Sequence, residues 1–214
     1  MGTLTIEHAN AMPAPTWHRL HVNDVDIELP SGLAAAQQVE VSCEEGLQGE
    51  ADAFDRALLS LADPPPPDHA VKIRCKHVDI CPDAIIGRVS DYKVFAVMIR
   101  AGTEEEAREY LEFVAGEPVV LATRPDERTC ATVRVEGVDG AANAAAVDVV
   151  AAPGSSLSLA VALDSPAPGA GVVGVRLRVF AGADARVDVA VTQTLDDGWI
   201  ALDDAGIGLD GRAR

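Results

Sequence analysis

The sequence predicts a mainly β protein: a right-handed parallel β-helix of about three and a half coils over residues 117–214, preceded by a small α/β region over residues 1–116. Three observations lead there. Segments of the second half recur at a fixed offset, and residues within each segment alternate apolar with polar. Turns containing Gly or Asp, not helices, separate the strand-length runs.

The offset is 28 residues: Val147-Asp148-Val149-Val150-Ala151-Ala152-Pro153-Gly154 matches Val175-Arg176-Leu177-Arg178-Val179-Phe180-Ala181-Gly182. In the same phase Leu157, Leu159, Val161 and Leu163 fall on Ala185, Val187, Val189 and Val191. One step back, Val119 and Leu121 precede Pro125-Asp126, and Ala131, Val133 and Val135 follow. One step forward from Phe180–Arg186 reaches Gly208–Arg214. The alternation of two and the abundance of Val exclude helical repeats of similar length. An antiparallel meander has no reason to keep one period and leaves an edge to protect. Small inward residues such as Ala131 and Ala185 suit a narrow coil. Arg214 falls on Arg186, so the last copy is half a unit. An open coil end of a few hundred Å², at about 25 cal/mol per Å², leaves on the order of 10 kcal/mol of apolar burial unrealised. That surface is expected to be covered by a partner or by further chain.

The first half is less regular. Val25 to Pro30 alternates as a short strand ended by proline, and Val39 to Cys43 alternates again. Ala51 to Leu61 has helical spacing, with Phe54, Leu58 and Leu61 on one face. Pro64 to Pro67 forms a stiff polyproline connector. Strands are expected near Ala70 to Arg74 and Lys93 to Ile99. The clearest helix follows: Thr103 and Glu106 form a capping box, and Glu104 to Glu106 suit the helix dipole. Ala107, Tyr110, Leu111 and Val114 make its apolar face, and Gly116 closes it in a left-handed turn. A strand–helix–strand unit thus ends the first half.

Charge narrows the function classes. Lys and Arg number 17 against 34 Asp and Glu, a formal net charge of −17. A chain this acidic repels phosphates, so it is expected to bind neither nucleic acid nor an anionic membrane. A mean hydropathy of +0.12 with 24% charged residues is too apolar for a disordered chain. Met1 to Asn10 has no Lys or Arg ahead of an apolar run, so no secretory signal is read. Asn143 and Asp148 interrupt the Ala-rich run from Ala141 to Ala152, which excludes a membrane span there. Four cysteines without Cys-x-x-Cys fit a reducing compartment in which thiols are packing residues. A cytoplasmic location is expected.

Few residues suggest chemistry. Cys75, His77 and Cys81 place three metal-ligating side chains within seven residues, with Asp79 or His69 as a fourth ligand. The spacing matches no standard zinc knuckle, and a strand with one inward cysteine and an outward histidine explains it better. Asp196, Asp197, Asp203 and Asp204 resemble the acidic clusters of β-helical polysaccharide lyases, but the nearest following cation is Arg212, and a solvated loop is the simpler reading. The histidines at 8, 18, 21, 69 and 77 form no hydrolase pattern, and phosphate-binding glycine motifs are absent. Trp17 reads as a packing anchor. No catalytic residue is assigned, and the chain is read as a non-enzyme.

The segments Gly154-Ser155-Ser156-Leu157-Ser158-Leu159, Gly174-Val175-Arg176-Leu177, Gly182-Ala183-Asp184-Ala185-Arg186-Val187 and Val191-Thr192-Gln193-Thr194-Leu195 resemble the β-helical core of the SufB/SufD family. Gly198 to Asp204 is similar to the segment that follows in SufD-like members, and Thr16 to Asn23 resembles the start of short ones. The resemblance covers Glu117 to Arg214 and the first 30 residues, and makes the chain a truncated or divergent member. It implies a scaffold of SUF-type iron–sulfur cluster assembly that holds no cofactor stably by itself. The cluster forms in an assembled complex with SufB-like and SufC-like proteins; a homodimer through the open coil end is the other arrangement. The family's assembly-site Cys, Glu and His and its SufC-docking helices lie beyond the matched region, so no functional residue carries over, and Cys130 does not occupy the family's cysteine position. Two rivals stand beside this reading: an autonomous β-repeat module binding a small ligand or metal, and a β-helical lyase or hydrolase.

Overall fold

A computed structural model of the chain describes residues 3–6, 26–30, 32–61, 99–102, 105–166, 168–210 and 212–214. The second half is a parallel β-solenoid of about three turns. Strands β6 (Val119–Ala122), β8 (Ala141–Ala151), β10 (Gly171–Ala181) and β12 (Trp199–Leu209) stack in parallel as one sheet. Strands β7 (Arg128–Glu136), β9 (Ser156–Asp164) and β11 (Arg186–Thr194) stack in parallel as the other.

Alternation builds the core. Ala131, Val133 and Val135 of β7 and Leu157, Leu159, Val161 and Leu163 of β9 point inward, to meet Ala145, Val147 and Val149 of β8 and Val173, Val175, Leu177 and Val179 of β10. The intervening positions of β7 face solvent. Cys130 is one of them and is exposed, so of the two cysteines described only Cys43 packs against the core. The expectation that all the thiols are packing residues fails at Cys130, because an even position on β7 faces outward.

The period is not constant. The inward column Val119–Val147–Leu177–Ala205 steps by 28, 30 and 28 residues. Two residues enter in the loop between β9 and β10, which carries Pro166 and Pro168 and is longer than its equivalents between β7 and β8 and between β11 and β12. Leu157 therefore stacks on Val187 rather than on Ala185. Because the insertion is even, every side chain keeps its face; an odd one would have turned the strands that follow inside out. The corners step identically. Asp126, Gly154, Asp184 and Arg212 are in register as left-handed residues, and a Cβ on Gly154 would strike the Asp126 carboxylate. The last described residues begin another rung: Arg214 accepts a bond from Val187 N–H and donates to Ala185 oxygen, stacking it on Arg186 as the repeat implies.

The first half caps and clothes the coil. β1 (Thr3–Ile6) pairs antiparallel with β2 (Ile27–Pro30), β3 (Ala34–Ala35) lies parallel to β8, and β4 (Val39–Cys43) lies antiparallel on β7. Helix α1 (Ala53–Leu61) places Phe54 against Phe180 and Val150. β5 (Ile99–Gly102) joins β12 antiparallel, and helix α2 (Glu105–Ala115) follows it. The expected strand–helix–strand unit is present, but β5 and β6 lie at different places in the sheet: β5 pairs β12 and β6 pairs β8. α2 touches β12, β10 and β8 on the sheet's outer face. Ala107, Leu111 and Val114 are buried against Ala142, Ala144, Val172 and Leu202, with Ile6 and Leu29 completing the layer. Gly116 ends α2 at φ +70°, its N–H bonded to Glu112 oxygen at 3.1 Å. The Thr103 cap, the Pro64–Pro67 connector, the Ala70–Arg74 strand, most of the Lys93–Ile99 strand and Trp17 lie outside the described residues.

Gly174 sits between Ala144 and Leu202 in the outer row beneath Leu111. A Cβ there would collide with Leu111 and lie 2.6 Å from Leu202 carbonyl oxygen, which is backbone and cannot yield. In an open strand, Gly→Ala favours folding. Here Gly174→Ala is expected to cost about 1–3 kcal/mol through overpacking, read as a lower urea midpoint.

Candidate functional site at the uncovered edge of the coil

The two ends of the coil are finished differently. At its start, β4 supplies Val39, Val41 and Cys43 to the core and Leu47 closes over it, 2% exposed. Gly49 N–H donates to Val120 oxygen at 2.9 Å and Ala122 N–H to Leu47 oxygen at 2.8 Å. Asn143 points inward on β8 and is wholly buried. Its side-chain amide donates to the carbonyls of Gln38 (2.7 Å) and Glu136 (2.8 Å), and its oxygen accepts from Gln38 N–H (3.0 Å). Each polar atom is satisfied, so this asparagine ties the cap to the coil at little desolvation cost.

The far end lacks such a seal among the described residues. β11 is the outermost strand of its sheet, and beyond the contact with Arg214 no described strand lies on its free side. Its inward residues Val189 and Val191, stacked on Leu159 and Val161, are 38% and 44% exposed. In the other sheet β5 covers only Asp204 to Ile207 of β12, and Ile207 remains 40% exposed. Unpaired backbone and an apolar row on one edge form a template for another strand.

Around that edge the acidic cluster is dispersed. Asp196 and Asp197 are exposed in the loop before β12, as a solvated loop requires. Asp203 and Asp204 are successive residues of a strand and face opposite sides of it. Asp203 points into the coil, where it accepts a hydrogen bond from Gln193 Nε2. Burial raises its pKa, the Gln193 bond working the other way. Asp204 is 4% exposed on the outer face, with Arg108 Nε of α2 at 3.4 Å. The solvated-loop reading therefore holds for the first pair and fails for the second, because β12 continues through them. Four carboxylates that do not converge build no common cation site. Among the described residues no group of three or more His, Cys, Asp or Glu is placed to hold a metal. Cys75, His77 and Cys81 lie outside the described residues.

The outer face of the same sheet holds an ion network that the sequence reading missed. Asp148, wholly buried, accepts from Arg178 Nε at 2.8 Å, and both Arg178 and Arg176 reach it through further nitrogens. Arg176 also faces Glu112 of α2 at 3.5 Å, while Arg178 lies 3.7 Å from Asp55 and 4.4 Å above the Phe54 ring of α1. Burial opposes the charge on Arg178, but its bond to Asp148 and the nearby Asp55 and Glu112 outweigh it, and its pKa is raised. One carboxylate on β8 thus fixes two arginines of β10, and each arginine addresses a different helix. The available signal was Asp148 within an alanine run: a charge on a buried face needs partners.

Asp148→Ala leaves Arg176 buried without its carboxylate and is expected to cost about 3–5 kcal/mol, measured by urea unfolding, with Arg178→Met costing less because that guanidinium is partly solvated. Among the described residues no helix is long and apolar enough to cross a membrane. Comparison of the chain with protein-family models, with curated proteins and with solved structures returned no match.

Proposed function

We propose that this protein is a non-catalytic scaffold that works by protein–protein contact along the β11 edge. The observation that carries the reading is that Leu47, β4 and Asn143 seal the first rung, while Val189 and Val191 on the outer strand β11 are 38% and 44% exposed among the described residues. An apolar strand edge left open on an otherwise capped coil costs solubility unless something occupies it. Resemblance of residues 117–214 to the SufB/SufD core directs the reading further, to SUF-type iron–sulfur cluster assembly in the cytoplasm. Its partners are then SufB-like and SufC-like proteins, and the cluster belongs to the assembled complex rather than to this chain. A second copy of the chain is the other occupant the edge accepts. The dispersal of Asp196, Asp197, Asp203 and Asp204 weighs against the lyase alternative, which needs them together. The ligand-binding module would rest on Cys75, His77 and Cys81, which lie outside the described residues.

The test uses the tagged full chain in its native cell, with SufB-like and SufC-like proteins quantified in the recovered material. Recovery of both is expected, falling about tenfold or more when Val189→Lys and Val191→Lys place charges on the edge. Recovery of neither protein, or recovery indifferent to the two lysines, overturns the proposal.

A further inference from the structure

Helix α2 turns one aromatic ring to solvent. Its apolar face packs on the sheet, where Ala107, Leu111 and Val114 meet Ala142, Ala144, Val172 and Leu202. Phe113 lies outside that face and is 79% exposed, more than any other large apolar residue described. Single apolar residues at a surface are common. What marks this one is its electrostatic setting. Glu109 lies one helical turn before it on the same face, Glu112 precedes it and Glu117 follows, all three exposed. The last turn of α2 holds no cation, although the C-terminal end of a helix dipole favours one. Among the described residues Glu109 and Glu117 have no ion-pair partner, and Glu112 reaches Arg176 Nε at 3.5 Å without a hydrogen bond. The arginines beneath the helix are directed inward: Arg108 to Asp204, and Arg176 and Arg178 to Asp148.

The same pair of groups occurs elsewhere in the molecule with its cation in place. On α1, Phe54 and Asp55 are adjacent, and the Arg178 guanidinium lies 4.4 Å above the Phe54 ring and 3.7 Å from Asp55. A guanidinium so placed has an aromatic face beneath it and a carboxylate beside it. Glu112 and Phe113 on α2 repeat that juxtaposition with the ring uncovered.

We propose that Phe113, with Glu109, Glu112 and Glu117 around it, is a docking surface for an arginine-bearing segment of a partner protein. The guanidinium stacks on the ring, and the carboxylates and the helix C-terminus supply the opposing charge. Arginine suits this surface better than lysine, because its flat, weakly hydrated head can lie on a ring while its edge meets a carboxylate. A second copy of a chain with net charge −17 is a poor match for such a face, and nucleic acid and anionic lipid are repelled by the same charges. The sheet already fixes α2, so the ordering that docking requires falls mainly on the partner segment. The surface lies on the outer face of the sheet of β8, β10 and β12, whereas β11 belongs to the other sheet. The inference is therefore independent of the β11 edge.

Titration of the full chain with the synthetic peptide Ala-Arg-Ala-Arg-Ala, blocked at both ends, tests this by backbone amide NMR shifts in about 0.1 M salt, with the lysine counterpart for comparison. The arginine peptide is expected to shift residues 109–117 and to bind more tightly than the lysine peptide. Phe113→Leu keeps most of the apolar area but removes the ring, and is expected to weaken the arginine peptide about fivefold, to the level of the lysine one. Glu109→Gln is expected to weaken both peptides and to flatten the salt dependence. Circular dichroism of both variants should match wild type, because neither side chain belongs to the core. Absence of shifts at millimolar peptide overturns the proposal. So do shifts spread over other acidic segments such as Asp196–Asp197, equal binding of the two peptides, or arginine binding indifferent to Phe113→Leu. Any of these leaves the β11 reading to be decided by recovery of SufB-like and SufC-like proteins.

Discussion

Each rung of this coil completes its core by lying on the rung before it. Inward side chains of one strand touch those of the strands above and below at the spacing of a parallel sheet, so apolar columns such as Val133–Val161–Val191 form one continuous core. Most other features follow from that requirement. The two extra residues between β9 and β10 are tolerated because they are even in number and leave the columns intact. Left-handed residues recur at one corner because each rung must turn where its predecessor turned.

A sheet so built has two faces, and the outer face of β8, β10 and β12 is the one the rest of the chain covers. That face is too apolar at Ala142, Ala144, Val172 and Leu202 to stand in water, and α2 buries it. Packing by alanine and leucine alone would let a helix slide along the sheet. The ions remove that freedom: Arg108 meets Asp204, Glu112 meets Arg176, and Asp55 and Phe54 meet Arg178, with Asp148 beneath. Buried charges of this kind are costly, and their return is registry between helix and sheet more than net stability.

Stacking also explains why the outer rungs differ from the middle ones. A terminal rung lacks a neighbour on one side and must be capped, made polar or occupied. The first rung is capped by β4 and Leu47 and tied by Asn143. The last meets two of these in part: β5 covers part of β12 and Asp203 and Gln193 make part of the interior polar, while among the described residues Val189 and Val191 stay 38% and 44% exposed. The proposed contact surface rests on that exposed apolar row.

The amino-acid sequence alone determined the coil, its inward and outward faces, the stacking of Arg214 on Arg186 and the apolar face of α2, because those depend on spacing along the chain. It did not determine the partners. A fixed 28-residue alignment mispaired Leu157, since a sequence offset cannot show where a loop absorbs two residues. Asn143 and Asp148 read only as breaks in an alanine run, and Asp203 and Asp204 only as neighbours in an acidic loop. Tertiary structure made the first two into anchors and sent the last two to opposite faces, because what a buried polar group does depends on which distant residues meet it. The same holds for the edges: the repeat placed Arg214 on Arg186, but only packing of the first half against the second decided that β4 pairs with β7 and β5 with β12.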